Sequence, residues 1–425
     1  MCRNWTFVAL ALMNLSLSAC TRSSERVLKV LSFRDRQSAA LRQALPEFEK
    51  QHSVRVQFDD IPAATVATKM MTDLAANGTY DVYAVDEPFI PQFHTALLRI
   101  EEWPSKPSRA ELGDFESKAL EAATFEGSLI GLPVNGNVYQ YIYRKDLLAD
   151  PKEKSAFTAR FKRELRPPQN FNELAELAAF FHRPPALYGF APFTKMSEGT
   201  TVELLWILSG FGYTPGHQQI DIQTITQALQ FYETLLNTAP KAARSWHHTE
   251  RMSAYAKGKV AQMMTWNSFF FDLEDEHKSL VVGKTGYAPS PGDKSTGLAG
   301  SWIAGVRKGS RETELAVAFV RWWTSRKVNE TLIHKGLSSA RADVLTQPEL
   351  AQKFPWLETT HLNFGKAFLR PRHKHYRTTS DDLSKAFTRW IAGQKSLQET
   401  AIELHAALNR MNELALAGSQ RKEAH

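Results

Sequence analysis

Cysteine is nearly missing from this sequence: two occur in 425 residues, Cys2 and Cys20, both within the first twenty positions. No disulfide can brace the body of the chain, and cysteine chemistry there is excluded. Long apolar runs are scarce as well. The run from Trp5 to Leu15 is broken by Asn14 and followed by Ser16, well short of the roughly 20 apolar residues that a spanning helix needs. A strong charge of one sign is also lacking: Lys+Arg 52 against Asp+Glu 45 leaves +7, which by itself does not call for nucleic acid. Neither an internal repeat nor a low-complexity segment is present.

Catalytic and metal-ligating sets are missing too. Gly283-Lys284-Thr285 ends like a phosphate-binding loop, but Lys278 stands where its first glycine is required. Gly336-Leu337-Ser338-Ser339 approaches a nucleophile elbow, but Ala340 replaces the closing glycine. His247-His248 and His373-Lys374-His375 have no spaced acid or cysteine partners. No enzyme, metal or cofactor is expected. What is present is a globular composition, 43% apolar and 23% charged, enough for two or three domains.

The first residues read as an export signal: Arg3, a short apolar middle, then Leu17-Ser18-Ala19-Cys20. Those four resemble the bacterial lipobox, in which cleavage precedes the cysteine and its sulfur is acylated. Residues 1–19 are thus a lipoprotein signal peptide, Cys20 the lipid anchor, and 20–26 a tether to the cell envelope.

Beyond the tether, short apolar runs alternate with helical periodicity. Val27 to Phe33 and Val54 to Phe58 read as strands, with Leu41, Leu45 and Phe48 on a helix between them. Thr65 to Ala76 reads as a helix stopped by Asn77-Gly78, and Asp81 to Val85 as a third strand ending in Asp86-Glu87. This is the βαβ pattern of a parallel sheet, whose ligands bind outside the carboxyl ends of the strands. Further on, Tyr139 to Tyr143 and Val260 to Thr265 read as strands, Asn170 as the cap of a helix over Phe171 to Phe181, and Asp150 to Pro168 as a charged surface excursion. Asn135-Gly136-Asn137 and Pro289-Ser290-Pro291-Gly292 are expected to be crossings between domains. The stripe Leu397, Ala401, Leu404, Leu408, Met411 and Ala415 marks a long terminal helix.

Several segments together resemble one family: Tyr80-Asp81-Val82 with Asp86-Glu87-Pro88, Gly131-Leu132-Pro133, Tyr143-Arg144-Lys145-Asp146-Leu147-Leu148, Asn170-Phe171-Asn172-Glu173-Leu174, Gly258-Lys259-Val260-Ala261, Leu298 to Trp302, and Leu337 to Arg341. In this order they are similar to the family 1 extracellular solute-binding proteins, the capture components of bacterial ABC importers. The resemblance implies the two-lobed type II periplasmic-binding-protein fold, two α/β domains joined by a multi-segment hinge. Residues 27–134 with 296–340 would form the N-terminal lobe, and 135–295 with 341–425 the C-terminal one. It also implies a monomer that hands a small-molecule carbohydrate to ABC permease subunits.

A sugar offers hydroxyls that donate and accept, and apolar C–H faces, so its site needs planar polar side chains beside aromatic plates. Arg34, Asp35, Asp86, Glu87, Asn135 and Asn137 are the polar candidates, with Ser301 and Arg341 at the later crossings and Trp266 and Trp302 as plates. Other solutes would ask for different groups: several acids with aromatics for a polyamine, an arginine for an acidic sugar, a nest of amides for a phosphate ester. No such cluster is legible in the sequence. A secreted glycoside hydrolase would need two carboxyls about 5–9 Å apart across a bond, which neighbours such as Asp86 and Glu87 seldom provide. The basic stretch Arg370 to His375 reads as a solvated loop.

Overall fold

The computed structural model describes residues 26–292 and 297–420. Cys20 and the expected signal peptide lie outside the described residues. Among those described, no helix is long and apolar enough to cross a membrane.

The first lobe is built on β1 (Val27–Phe33), β2 (Arg55–Ile61) and β3 (Val82–Asp86). β1 pairs in parallel with both neighbours, Val27 opposite Arg55 and Val30 opposite Val82. Its last four residues are all buried because helices cover the parallel sheet, which erases polar alternation. The helix Arg36–His52 begins at Asp35, whose side chain accepts from the Ser38 amide, and buries Leu41, Leu45 and Phe48. After a small hairpin, β4 (Thr124–Phe125) with β5 (Ser128–Leu129), comes β6 (Leu132–Asn135).

The chain then enters the second lobe. β7 (Val138–Arg144) pairs antiparallel with β8 (Gln262–Trp266), and also with β9 (Thr285–Ala288) and β10 (Gly297–Ala299). It returns to the first lobe as β11 (Trp302–Val306), which lies between β3 and β6, and ends the second sheet with β12 (Ala367–Leu369). The first sheet thus runs β2-β1-β3-β11-β6 and the second β12-β10-β7-β8 with β9 beside β7. The terminal stripe forms the helix Leu397–Gln420, which buries Ala401, Leu404, Leu408 and Met411.

Two expectations are corrected. Pro289 to Gly292 joins β9 to β10 within the second sheet, so it is no crossing; the chain changes lobe at Gly300-Ser301, and the strand Gly297–Ala299 belongs with the second sheet. Asp150 to Pro168 holds a helix, Pro151–Phe161, capped by Asp150 with proline in its first turn and Phe157 buried beneath it. Asp-Pro is itself a helix-start signal, masked there by the density of charge.

Three crossings run side by side. Asn135-Gly136-Asn137 passes so close to the segment from Leu337 to Arg341 that a Cβ on Gly136 would sit 2.2 Å from the Ser339 carbonyl oxygen; only glycine fits there. Asn267 ties the first crossing down, accepting from the Val138 amide at 2.9 Å and donating to the Gly136 carbonyl at 3.1 Å. The Gly300 amide donates to the Asn137 carbonyl at 2.9 Å.

Candidate functional site: the cleft between the lobes

Strand register brings the site together. Across the first sheet, Trp302 lies opposite Asp86 on one side and Asn135 on the other. Across the second, Tyr139 lies opposite both Trp266 and Leu298, and Ala299 opposite Leu369. The carboxyl ends of β1, β3, β8, β10 and β12 therefore point at one gap, which holds a cavity of about 670 Å³.

Its floor is an ion cluster centred on Arg370, directly after β12. The Nε donates to Glu87 Oε1 at 3.1 Å. Nη1 donates to Asp86 Oδ2 at 3.1 Å and Glu198 Oε1 at 3.0 Å. Nη2 donates to Asp86 Oδ1 at 2.5 Å and Glu87 Oε2 at 2.8 Å. Tyr376 and Ser380 hydroxyls hold Glu198 from behind, at 2.5 and 2.6 Å. Burial raises the pKa of Asp86, against the pull of Arg370. Glu87 is pushed up to about 8, again chiefly by burial, with Arg370 opposing and the neighbouring Asp86 adding to the rise.

The walls are aromatic. Phe33 and Trp302 pack with ring centroids 4.1 Å apart, and Trp266 stands edge-on to Tyr139 at 5.3 Å. Trp266 also lies over Gly300, where a Cβ would come within 2.7 Å of the indole. Phe193 presses on Gly199 in the same way, at 2.3 Å. The fully buried Arg251 lies 5.3 Å from the Phe193 ring and hydrogen-bonds the Tyr139 hydroxyl at 3.0 Å, with Glu203 at 3.8 Å. His248 stacks on Phe269 at 3.6 Å, and burial drops its pKa to about 3, so it lines the cavity as a neutral imidazole.

Around the mouth the lobes touch. Arg36 reaches across to Asp272 at 2.5 Å and covers the Phe271 ring at 4.4 Å. Phe271 in turn abuts Gly336, where a Cβ would fall 1.8 Å from the ring. Arg377 donates to the Ala64 carbonyl at 2.9 Å. Among the described residues, no group of three His, Cys, Asp or Glu side chains could hold a metal ion.

The sequence candidates divide. Arg34, Asp35, Asp86, Asn137, Trp266 and Trp302 line the cavity. Glu87 lies behind its wall, fully buried on Arg370. Asn135 is buried at the first crossing and accepts from the Ser338 hydroxyl at 3.0 Å. Ser301 is fully buried in the turn before Trp302 and is not part of the lining. Arg341 also lies outside it, its guanidinium shared by Asp343 and Asp114 at 2.9 Å. Asp35 serves the helix N-terminus as well as the cavity, and burial pushes it up to about 6.

Sequence reasoning missed Arg370, Glu198, Phe193 and Gln37. The expectation of a solvated loop at Arg370 to His375 is corrected for Arg370, which is 4% exposed. One signal was available: Arg370 follows the apolar triplet Ala367-Phe368-Leu369, another polar residue at a strand end.

The family model for bacterial extracellular solute-binding proteins matches residues 34–330. The chain belongs to this family. Its members are the solute-binding components of ABC importers, and the cleft is where the two lobes of such a protein meet. Among curated relatives, a probable amino-acid ABC transporter periplasmic-binding protein of Sinorhizobium fredii is 25% identical over 320 residues, 73% of this chain and 71% of the relative. A mannitol-binding protein of Pseudomonas aeruginosa is 24% identical, over 66% of this chain and 64% of its own. Among solved structures, maltose-bound MalE3 of T. maritima superposes with a TM-score of 0.77 at 21% identity, covering 91% of this chain and 99% of that one. A solute-binding protein of Agrobacterium radiobacter in complex with ribitol gives 0.77 and 21%, covering 91% and 98%. At these identities the structures establish the two-lobed fold.

Proposed function

We propose that this protein captures a carbohydrate, a small oligosaccharide or sugar alcohol, in the interlobe cavity and delivers it to membrane permease subunits, anchored to the envelope through acylated Cys20. The observation carrying this reading is the cavity itself. Its volume is in the range of small-molecule sites, and it pairs flat rings for C–H faces with carboxylates and amides for hydroxyls. The mannitol-binding relative and the maltose and ribitol complexes support the same class. Solute touching both lobes would stabilise closure about the three crossings, and the closed form would be the one the permease accepts.

Thermal shift against maltose, maltotriose, mannitol and ribitol tests the class. A ligand at 100 times its dissociation constant stabilises by about 2.7 kcal/mol. Trp266→Ala should abolish that shift; a full shift in the variant would remove Trp266 from the site. Small-angle scattering should show a smaller radius of gyration at saturation, and an unchanged one would refute hinge closure.

A further inference from the structure

The cavity is rich in hydrogen-bond acceptors and poor in donors, which a neutral sugar does not require. An arginine has five N–H donors, and Arg370 spends all five on three carboxylates. It therefore has none left for an anionic solute, and the one guanidinium faces the carboxyls of Asp86, Glu87 and Glu198. Arg372 contributes little to the cavity, because its Nη1 is turned onto the carbonyls of Glu121, Ala122 and Thr124. At the mouth, Arg36 is committed to Asp272 and Arg377 to the Ala64 carbonyl. The imidazole of His248 brings no positive charge, since burial keeps it neutral.

A second, independent observation comes from Gln37. It lines the cavity and is only 2% exposed. Its Nε2 donates to the Val134 carbonyl at 2.5 Å, which fixes the amide's orientation, while Oε1 is shielded from solvent and has no partner. Asn137 repeats the pattern: it lines the cavity and its Oδ1 is shielded and unpartnered. A buried acceptor left without a donor costs about 1–3 kcal/mol, so these two oxygens ask the solute for donors. An ammonium group carries three donors, no acceptor and a positive charge, and the rings of Trp266 and Phe193 would receive it on their faces.

We infer that the captured solute carries a protonated amine, held by the carboxylates of Asp86 and Glu198 and the amide oxygens of Gln37 and Asn137. This rests on the proposed capture of a carbohydrate in the same cavity and narrows it to an amino sugar or amino polyol. The raised pKa values of Asp86 and Glu87 fit such a partner: a cation seated there would drive protons off the floor, so binding would release protons.

The test is calorimetric titration at neutral pH with probes matched except at one group: glucamine, sorbitol and gluconate; the β-1,4-linked disaccharides of glucosamine and glucose; and spermidine. At least one amine should bind about tenfold or more tighter than its hydroxyl counterpart, the gain expected of a charge-assisted hydrogen bond. The gap should narrow in high salt and shrink in Glu198→Gln, which keeps the shape and removes one charge. Binding of an amine in two buffers of different ionisation enthalpy should show proton release. Sorbitol, cellobiose or gluconate matching or exceeding its amine overturns the inference, as does the failure of every amine to bind; neutral binders in that case would leave the carbohydrate reading standing. Spermidine binding while every sugar amine fails would instead keep the amine and remove the carbohydrate.

Discussion

Replacing Arg370 with methionine, which keeps much of the aliphatic length and removes the guanidinium, would leave Asp86, Glu87 and Glu198 crowded without the cation that now contacts all three. Breaking a buried ion pair from one side costs about 3–5 kcal/mol, because the abandoned charge stays desolvated. For a lobe unfolding as a unit of about 200 residues, that is a fall in thermal midpoint on the order of 10 °C. The loss should depend on pH in one direction. Glu87 is already pushed up to about 8 in the folded protein, so the native state holds a proton that the unfolded chain releases near pH 4.5, and stability falls as pH rises between those values. Without Arg370, Asp86 and Glu87 would titrate higher still and the fall would steepen. The deficit of the variant should be largest near pH 8 and smallest near pH 5, where both carboxyls can be neutral. Arg370→Lys should recover part of the midpoint, since a point charge replaces only some of the five bonds. Calorimetric scans of the three proteins at both pH values suffice. A methionine variant within about 2 °C of the wild type at pH 8, or one equally weakened at both pH values, would refute the argument that this cluster depends on its one central cation.

Asp35→Asn should keep the helix cap, as asparagine caps well, and remove a carboxyl that burial raises to about 6. The wild type loses stability through this group as pH rises from about 4 to 6, so the variant should gain relative to it across that window, by up to about 3 kcal/mol, read from denaturant midpoints at pH 4 and 7. A constant difference between the two pH values would contradict the raised pKa. Gly336→Ala places a Cβ against Phe271 of the opposite lobe at a backbone φ of +74°; the lobes should part, giving a larger radius of gyration without ligand than the wild type. An unchanged radius would mean that Phe271 swings aside at no cost to closure.

The local pattern of this chain was decided by its sequence. Alternation of β-branched runs with helical stripes announced βαβ units, and Asn170 announced the start of its helix, because strand and helix periodicity and capping act over a few residues. Asp86, Trp266 and Arg34 were legible as candidates because each ends or follows a strand, and open α/β sheets gather their ligands there. Other features depended on pairings distant in sequence. Whether Pro289 to Gly292 crosses between lobes depends on which strand β10 joins, and a turn motif looks the same in either case. Arg341 and Arg370 both follow apolar stretches, yet one turns to Asp114 and Asp343 outside the cavity and the other into the cleft floor. The site's charge balance was likewise tertiary: Asp86, Glu198 and Arg370 stand 284 and 172 positions apart along the chain, and only the folding of the two lobes against each other brings three carboxylates onto one guanidinium.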